Sequence, residues 1–243
     1  MENNTSNYVY DNVIQINDAD ASRKFIANVF LWMFVALGLS AFCAYFFAHD
    51  PSLAASLRDP ETGGNTGLGT IVMFAPLAFI LLISFGFNRL SYAILTLLFI
   101  AFAVVMGISL SYILLMYTSG SVFGVFLTTS LVFGVMAIAG YTTHQDLTKF
   151  GSIMIMLLFG IIIASLVNLF LHSSGLDLII SYVGVAVFVG LTAYDVQKLK
   201  RIGAGIEYGD ASSKKMAIMG ALTLYLDFIN LFLMLLRVFG RRK

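Results

Sequence analysis

Charge is scarce in this sequence. Only 11% of its 243 residues are Asp, Glu, Lys or Arg, against about 25% in an ordinary soluble domain. With 59% hydrophobic residues and a mean hydropathy of +0.91, a water-soluble globule could not hide its apolar side chains. The shortage of charge therefore excludes a soluble enzyme and points to a membrane protein. Cysteine is nearly missing as well: Cys43 stands alone inside an apolar run, so an intrachain disulfide scaffold is excluded. Neither sign of charge prevails, with 14 basic residues facing 13 acidic ones, and no nucleic-acid footprint exists in bulk.

What the sequence does have is long apolar runs. Residues 1–24 are polar, with Asp11, Asp18 and Asp20 ahead of Arg23 and Lys24. They lack the basic start, short apolar core and small-residue cleavage site of a secretory signal, and read as a retained, flexible aqueous tail. Residues 25–243 read as a single membrane domain. Seven stretches, at 25–48, 69–87, 92–117, 121–141, 152–172, 177–199 and 216–239, are each long enough to cross about 30 Å of hydrocarbon at 1.5 Å per residue. Barrel strands would alternate with period two in ten-residue pieces, whereas runs such as Ile153–Leu171 are apolar on every face. The fold class is all-α, a bundle of seven transmembrane helices.

Orientation follows from the basic residues. With the N-terminus cytoplasmic, the inner segments hold Arg23, Lys24, Arg89, Lys149, Lys198, Lys200, Arg201, Lys214 and Lys215, and the outer side holds Arg58, Arg237, Arg241, Arg242 and Lys243. Four of the outer five cluster at the C-terminus. Either the outside tolerates them or the last segment fails to cross; seven full spans are expected. Small residues at Ala36, Ser40 and Ala44, at Gly120 and Gly124, and at Gly160 and Ala164 are expected to let helices pack closely within the bundle.

A charged side chain near the bilayer centre costs at least about 2.5–3.5 kcal/mol and marks a candidate functional site. Asp227 is such a residue, midway along the last run, where Thr223, Asp227 and Asn230 share a helical face with Gly220. In the sixth run Thr192 and Asp195 share a face. The two aspartates fall on consecutive, antiparallel helices and so can meet. Paired carboxylates in a low-dielectric interior cannot both stay ionised and tend to share a proton, which suits a pH sensor; deprotonated, they offer the hard oxygens that calcium prefers. The alternatives are that Asp227 only bonds a neighbouring helix and that Asp195 caps or pairs near Lys198.

Weaker candidates fall away on spacing. His49, His144 and His172 lie in or beside three different loops without paired spacing, so no metal site is expected. The glycines of 203–209 follow a membrane span rather than a strand and do not make a nucleotide loop. Ser40 lacks the following glycine of an intramembrane serine protease. Asn28, Asn168 and Thr128–Ser130 read as polar glue between helices.

The motifs Gly190-Leu-Thr-Ala-Tyr-Asp-Val-Gln and Gly220-Ala-Leu-Thr-Leu-Tyr-Leu-Asp-Phe-Ile-Asn-Leu-Phe, with Gly140-Tyr-Thr-Thr-His-Gln-Asp-Leu before the fifth run, closely resemble the transmembrane Bax inhibitor motif family, in its bacterial form, over residues 22–240. That resemblance implies a bundle with the last helix at its centre. It also implies a hydrogen-bonded Asp195–Asp227 dyad whose protonation gates a calcium leak across the inner membrane, with no cofactor; an ion exchanger gated by the same pair is the other form of this reading. Arg89, after the second run, matches a gating arginine found in some members, and Thr192, Thr223 and Asn230 are the polar residues expected to support the gate. The resemblance also offers a different role, as regulatory partner of a membrane-embedded ATP-dependent protease, which the tail 1–24 could bind.

An enzyme is the third possibility, because intramembrane aspartyl proteases also place Tyr-Asp on one span and a second Asp on the next. Tyr194-Asp195 fits the first half. The second half fails: Leu224-Tyr-Leu-Asp227 replaces the expected Gly-x-Gly-Asp, its leucines obstruct a substrate backbone, and the last proline is Pro76. No enzymatic activity is expected.

Overall fold

The computed structural model describes residues 18–59, 62–206 and 209–243, with side chains from Asp20 onward. Eight helices make it up: α1 Asp18–His49, α2 Pro51–Leu57, α3 Gly67–Gly86, α4 Tyr92–Met116, α5 Ser119–Thr142, α6 Thr148–Leu171, α7 Ser174–Ala204 and α8 Ala211–Phe239. All but α2 are long and apolar enough to span a bilayer. Most of the tail 1–24 lies outside the described residues, but its last part, from Asp18, is helical and continuous with the first span.

The boundaries are set by capping groups that satisfy the free N–H groups of each first turn. Thr66 caps α3, Ser91 α4, Ser173 α7 and Asp210 α8. Asp50 accepts from Ser52 N and Leu53 N at 2.9 and 3.2 Å with Pro51 in the first turn, which nucleates α2 between the first two spans. The helices on either side of the charged segment between the sixth and seventh apolar runs extend into it. Helix α7 runs on to Ala204, since Lys198, Lys200 and Arg201 are good helix formers, and α8 begins at Ala211.

Helix α8 is enclosed by α1, α4, α5 and α7, whereas α6 packs chiefly on α7 and α3 chiefly on α4 and α2. Accordingly 72% of the apolar window of α8 is buried, against 6% for α6, whose Phe159, Ile163 and Phe170 face outward. Exposed apolar faces of this size are those a hydrocarbon solvent accepts. The last helix is central, as the family resemblance implies.

The turns sort onto two ends. Ser22 bonds the Lys200 carbonyl, Arg201 reaches Asp146 in the α5–α6 turn, and Lys215 lies over Phe87 in the α3–α4 turn. At the other end Tyr112 bonds the Leu57 carbonyl, Arg237 pairs with Asp177, and Thr118 N donates to the Arg241 carbonyl. The C-terminal segment is therefore packed on the α4–α5 turn, opposite the lysine-rich α7–α8 connection, and the last segment crosses completely. Nine basic residues occupy the first end and five the second, so the first end faces the cytoplasm.

Some small residues do not serve the purpose expected of them. Ala36, Ser40 and Ala44 are buried, and Gly107 of α4 approaches the Ser40 backbone, but Gly120, Gly124 and Gly160 border open space. The hydroxyls of Thr128, Thr129 and Ser130 bond carbonyls one turn back on their own helix rather than a neighbour. Asn168 likewise caps its own connection, accepting from Ser173 N at 3.0 Å.

Candidate functional site

The seam between α7 and α8 is a set of small-against-large contacts. Gly220 lets Leu199 approach, and Gly184 lets Met234 approach, so the two axes come close at both ends of the seam. Gly220, Asp227 and Met234 are spaced by seven, which keeps Asp227 on the face turned to α7. On α7, Asp195 falls one turn before Leu199 on the face turned to α8. Asp195 and Asp227 thus face each other across the seam, close enough to interact electrostatically.

Both are enclosed: Asp195 is 9% exposed and Asp227 5%. Asp227 Oδ2 is the one buried side-chain oxygen with no N–H or O–H donor among the described residues. Lys198 acts on Asp195 electrostatically but is exposed, and no ion pair joins them. A carboxylate charge without a donor at this depth is costly, so a proton held between the two groups, or a cation beside them, is what the arrangement calls for.

The expected supporting residues behave differently. Thr192 Oγ1 donates to the Phe188 carbonyl at 2.7 Å and Thr223 Oγ1 to that of Met219 at 3.1 Å, each on its own helix, so neither gives its hydrogen to an aspartate. Asn230 is half-buried, and its side chain makes no hydrogen bond among the described residues. Arg89 is exposed in the α3–α4 turn, with no side-chain hydrogen bond or ion pair among the described residues. That turn neighbours Lys215, and Asp227 lies 12 residues further along α8, about 18 Å at 1.5 Å per residue. The arginine is thus at the cytoplasmic rim and away from the carboxylates.

Three polar residues near the pair were not anticipated. Ser40 Oγ lies 2.7 Å from Tyr225 Oη and donates to the Ala103 carbonyl at 2.6 Å, tying α1, α8 and α4 together in the interior. Tyr225 lies inside the same motif as Asp227, and a buried tyrosine hydroxyl nearly always has a partner. Gln197, two residues after Asp195, donates Nε2 to the Gln145 carbonyl at 2.7 Å and accepts from Leu147 N at 2.9 Å.

Above this layer a cavity of about 600 Å³ opens at the outer end, with His49 and Lys243 at its rim. Its walls are Leu37, Ala44, Phe123 and Phe126, and Ser40 and Phe228 line it near the Tyr225 layer. Calcium as a resident ligand takes six to eight oxygens, and no cluster of three or more His, Cys, Asp or Glu exists among the described residues. Two carboxylates alone suit a proton or an ion in transit.

The family described as inhibitor of apoptosis-promoting Bax1, Bax1-I, matches residues 22–243. The inner membrane protein YbhL of Escherichia coli K12 is 45% identical over 222 residues, 91% of this chain and 93% of its own. An uncharacterized protein of Rickettsia prowazekii is 49% identical over 74% of this chain and 75% of its own, and one of Borreliella burgdorferi is 41% identical over 91% and 93%.

Proposed function

This chain belongs to the Bax inhibitor family, Bax1-I, and from that premise we propose that it is a proton-gated leak pathway for calcium, with Asp195 and Asp227 as the gate. It is a multi-pass inner membrane protein, given its seven membrane-length helices and its similarity to the Escherichia coli inner membrane protein. The observation that carries the proposal is that two enclosed carboxyl groups face each other, Asp227 on the most buried helix and Asp195 on its neighbour α7, with Asp227 Oδ2 lacking a donor among the described residues.

A proton shared between the groups neutralises one charge and draws α7 and α8 together. Once it leaves, two like charges face each other in a poorly polarisable setting, and separation of the helices or entry of a divalent cation relieves the repulsion. The cavity at the outer end supplies an approach, and the Ser40–Tyr225 layer is the barrier still to be opened. The role assigned to the aspartates is ion gating, with no catalytic step.

The test is calcium entry into proteoliposomes containing the purified chain. Asp195→Asn and Asp227→Asn should each change the flux at least several-fold, and empty liposomes should show none. Flux identical in parent and both variants removes the aspartates from the gate; no flux in any condition, with folded protein, removes the leak.

A further inference from the structure

We infer that the cytoplasmic half of the bundle carries a binding site for one anionic phospholipid of the inner leaflet, its acyl chain in the groove between α1 and α5 and its phosphate at Lys200.

Helices α1 and α5 both pack on α7 yet leave a groove of about 290 Å³ between them, floored by Ile26, Ala27, Phe30, Ala137 and Tyr141. These side chains are apolar except for the tyrosine hydroxyl, and Arg23 stands at the cytoplasmic mouth. Next to it is a second, more polar recess of about 360 Å³ that includes His144, Lys200 and Arg201. The two adjoin at two points. Lys200 Nζ lies 4.8 Å from the Tyr141 ring centroid, and Ser22 of the recess is followed by Arg23 of the groove. An apolar slot capped by cations at the level of the inner headgroups has the form that anionic lipids recognise.

The charges nearby identify Lys200 as the phosphate contact. Arg201 is paired with Asp146 at 2.8 Å, and Arg23 lies 3.7 Å from Asp20. Lys200 has no carboxylate within ion-pair distance among the described residues. Its ammonium donates to the Tyr141 carbonyl at 2.7 Å, which fixes it over the slot and leaves two N–H groups for a phosphate. Arg23 and Arg201 flank it. The half-buried lysine stem lies along apolar surface with its charge at the interface, as such side chains do. At the other end, Lys243 rims a far larger cavity but has no comparable set of cations lining it.

The full chain, delipidated in detergent, should retain phosphatidylglycerol over phosphatidylcholine in native mass spectrometry by about tenfold. Lys200→Gln combined with Arg23→Gln should bring the ratio near one, with Lys200→Arg alone keeping it. Ala27→Phe, which fills the slot and leaves every charge, should also abolish retention, and covers the case in which the lysine variant fails to fold. Arg241→Gln with Arg242→Gln at the opposite end should change nothing. The inference is overturned if the parent shows no preference, if the outer pair lowers the ratio as much as the inner one, or if glycerol phosphate competes as well as the lipid.

Discussion

Tyr225 of α8 donates its hydroxyl hydrogen to Ser40 of α1. The 2.7 Å contact alone leaves the direction open, but Ser40 has a single hydrogen and places it on the Ala103 carbonyl of α4 at 2.6 Å. Three helices are thereby joined one layer from Asp227, and the rotation of α8 that keeps Asp227 facing α7 is fixed by a bond on another of its faces. Phe102 supports it edge-on, with ring centroids 5.3 Å apart.

This direction has a consequence for stability. Tyr225→Phe removes a donor and leaves Ser40 bonded to Ala103, at a cost of about 0.5–1.5 kcal/mol. Ser40→Ala leaves the buried tyrosine hydroxyl unpartnered, at about 1–3 kcal/mol if it finds no water, while the Ala103 carbonyl keeps its bond within α4. Thermal unfolding in detergent should rank Ser40→Ala below Tyr225→Phe. The reverse order contradicts the donor assignment.

A second prediction separates glycines that pack from glycines that do not. A side chain at Gly140 meets the Ala193 backbone two residues from Asp195, whereas Gly120 and Gly124 border open space. Gly140→Val should therefore cost at least the roughly 1–3 kcal/mol of an overpacked core and lower the yield of folded protein. Gly120→Val and Gly124→Val should fold like the parent apart from a small helix-propensity effect, as size-exclusion profiles of the three variants can establish.

This contrast shows what was legible in the sequence. Span number could be read from long apolar runs, and Asp227 stood out as a charge where charge is expensive, whereas the central place of the last helix came from the motifs that resemble the family. Spacing of small residues is a weaker signal. Gly120-x-x-x-Gly124 has the same pattern as a packed face, but which face a helix turns inward depends on its neighbours. Hydroxyls are ambiguous for a similar reason: Thr192 and Thr223 stand beside the aspartates in sequence, yet their own backbone carbonyls are closer partners. Tyr225 and Gln197 were overlooked although both lie inside the quoted motifs, because tyrosine and glutamine at such positions cost less than an aspartate and draw less notice.

The cytoplasmic clamp has its own pH dependence. Asp146 accepts from Thr148 Oγ1 at 2.6 Å, Thr148 N at 2.9 Å and Arg201 at 2.8 Å, and these bonds hold its carboxyl well below the usual carboxylate range. A lowered folded value means the contribution is complete above the ordinary aspartate value of about 4 and fades as pH falls below it. Amide exchange in residues 143–148 should thus keep the same protection from pH 7 to about 5. Asp146→Ala should raise exchange there throughout that range. Protection that falls between pH 7 and 6 in the parent contradicts the assignment to Asp146.

With the proposed gate a pair of carboxyl groups, calcium flux should rise with pH. At low pH both carry protons, neither can coordinate a divalent cation, and α7 and α8 stay closed on each other. As the shared proton leaves, two negative charges remain at short range. At about 4 Å and an effective dielectric of ~20 their repulsion is roughly 4 kcal/mol. At about 1.4 kcal/mol per factor of ten, that shifts a two-state helix packing by several hundredfold. A calcium ion entering the gap offsets the repulsion, so the ion is favoured in the state that admits it. Asn at either position removes one of the two charges and with it the repulsion, so the titration of the carboxyl that remains no longer drives the helices apart. Each single variant should therefore lose the pH dependence, whether it leaves the path shut or constantly leaky, and the two should resemble each other because they remove the same interaction. Proteoliposome flux measured from pH 5 to 8 gives the comparison. If both variants titrate as the parent does, the gate lies elsewhere, and the Ser40–Tyr225 layer becomes the next barrier to alter.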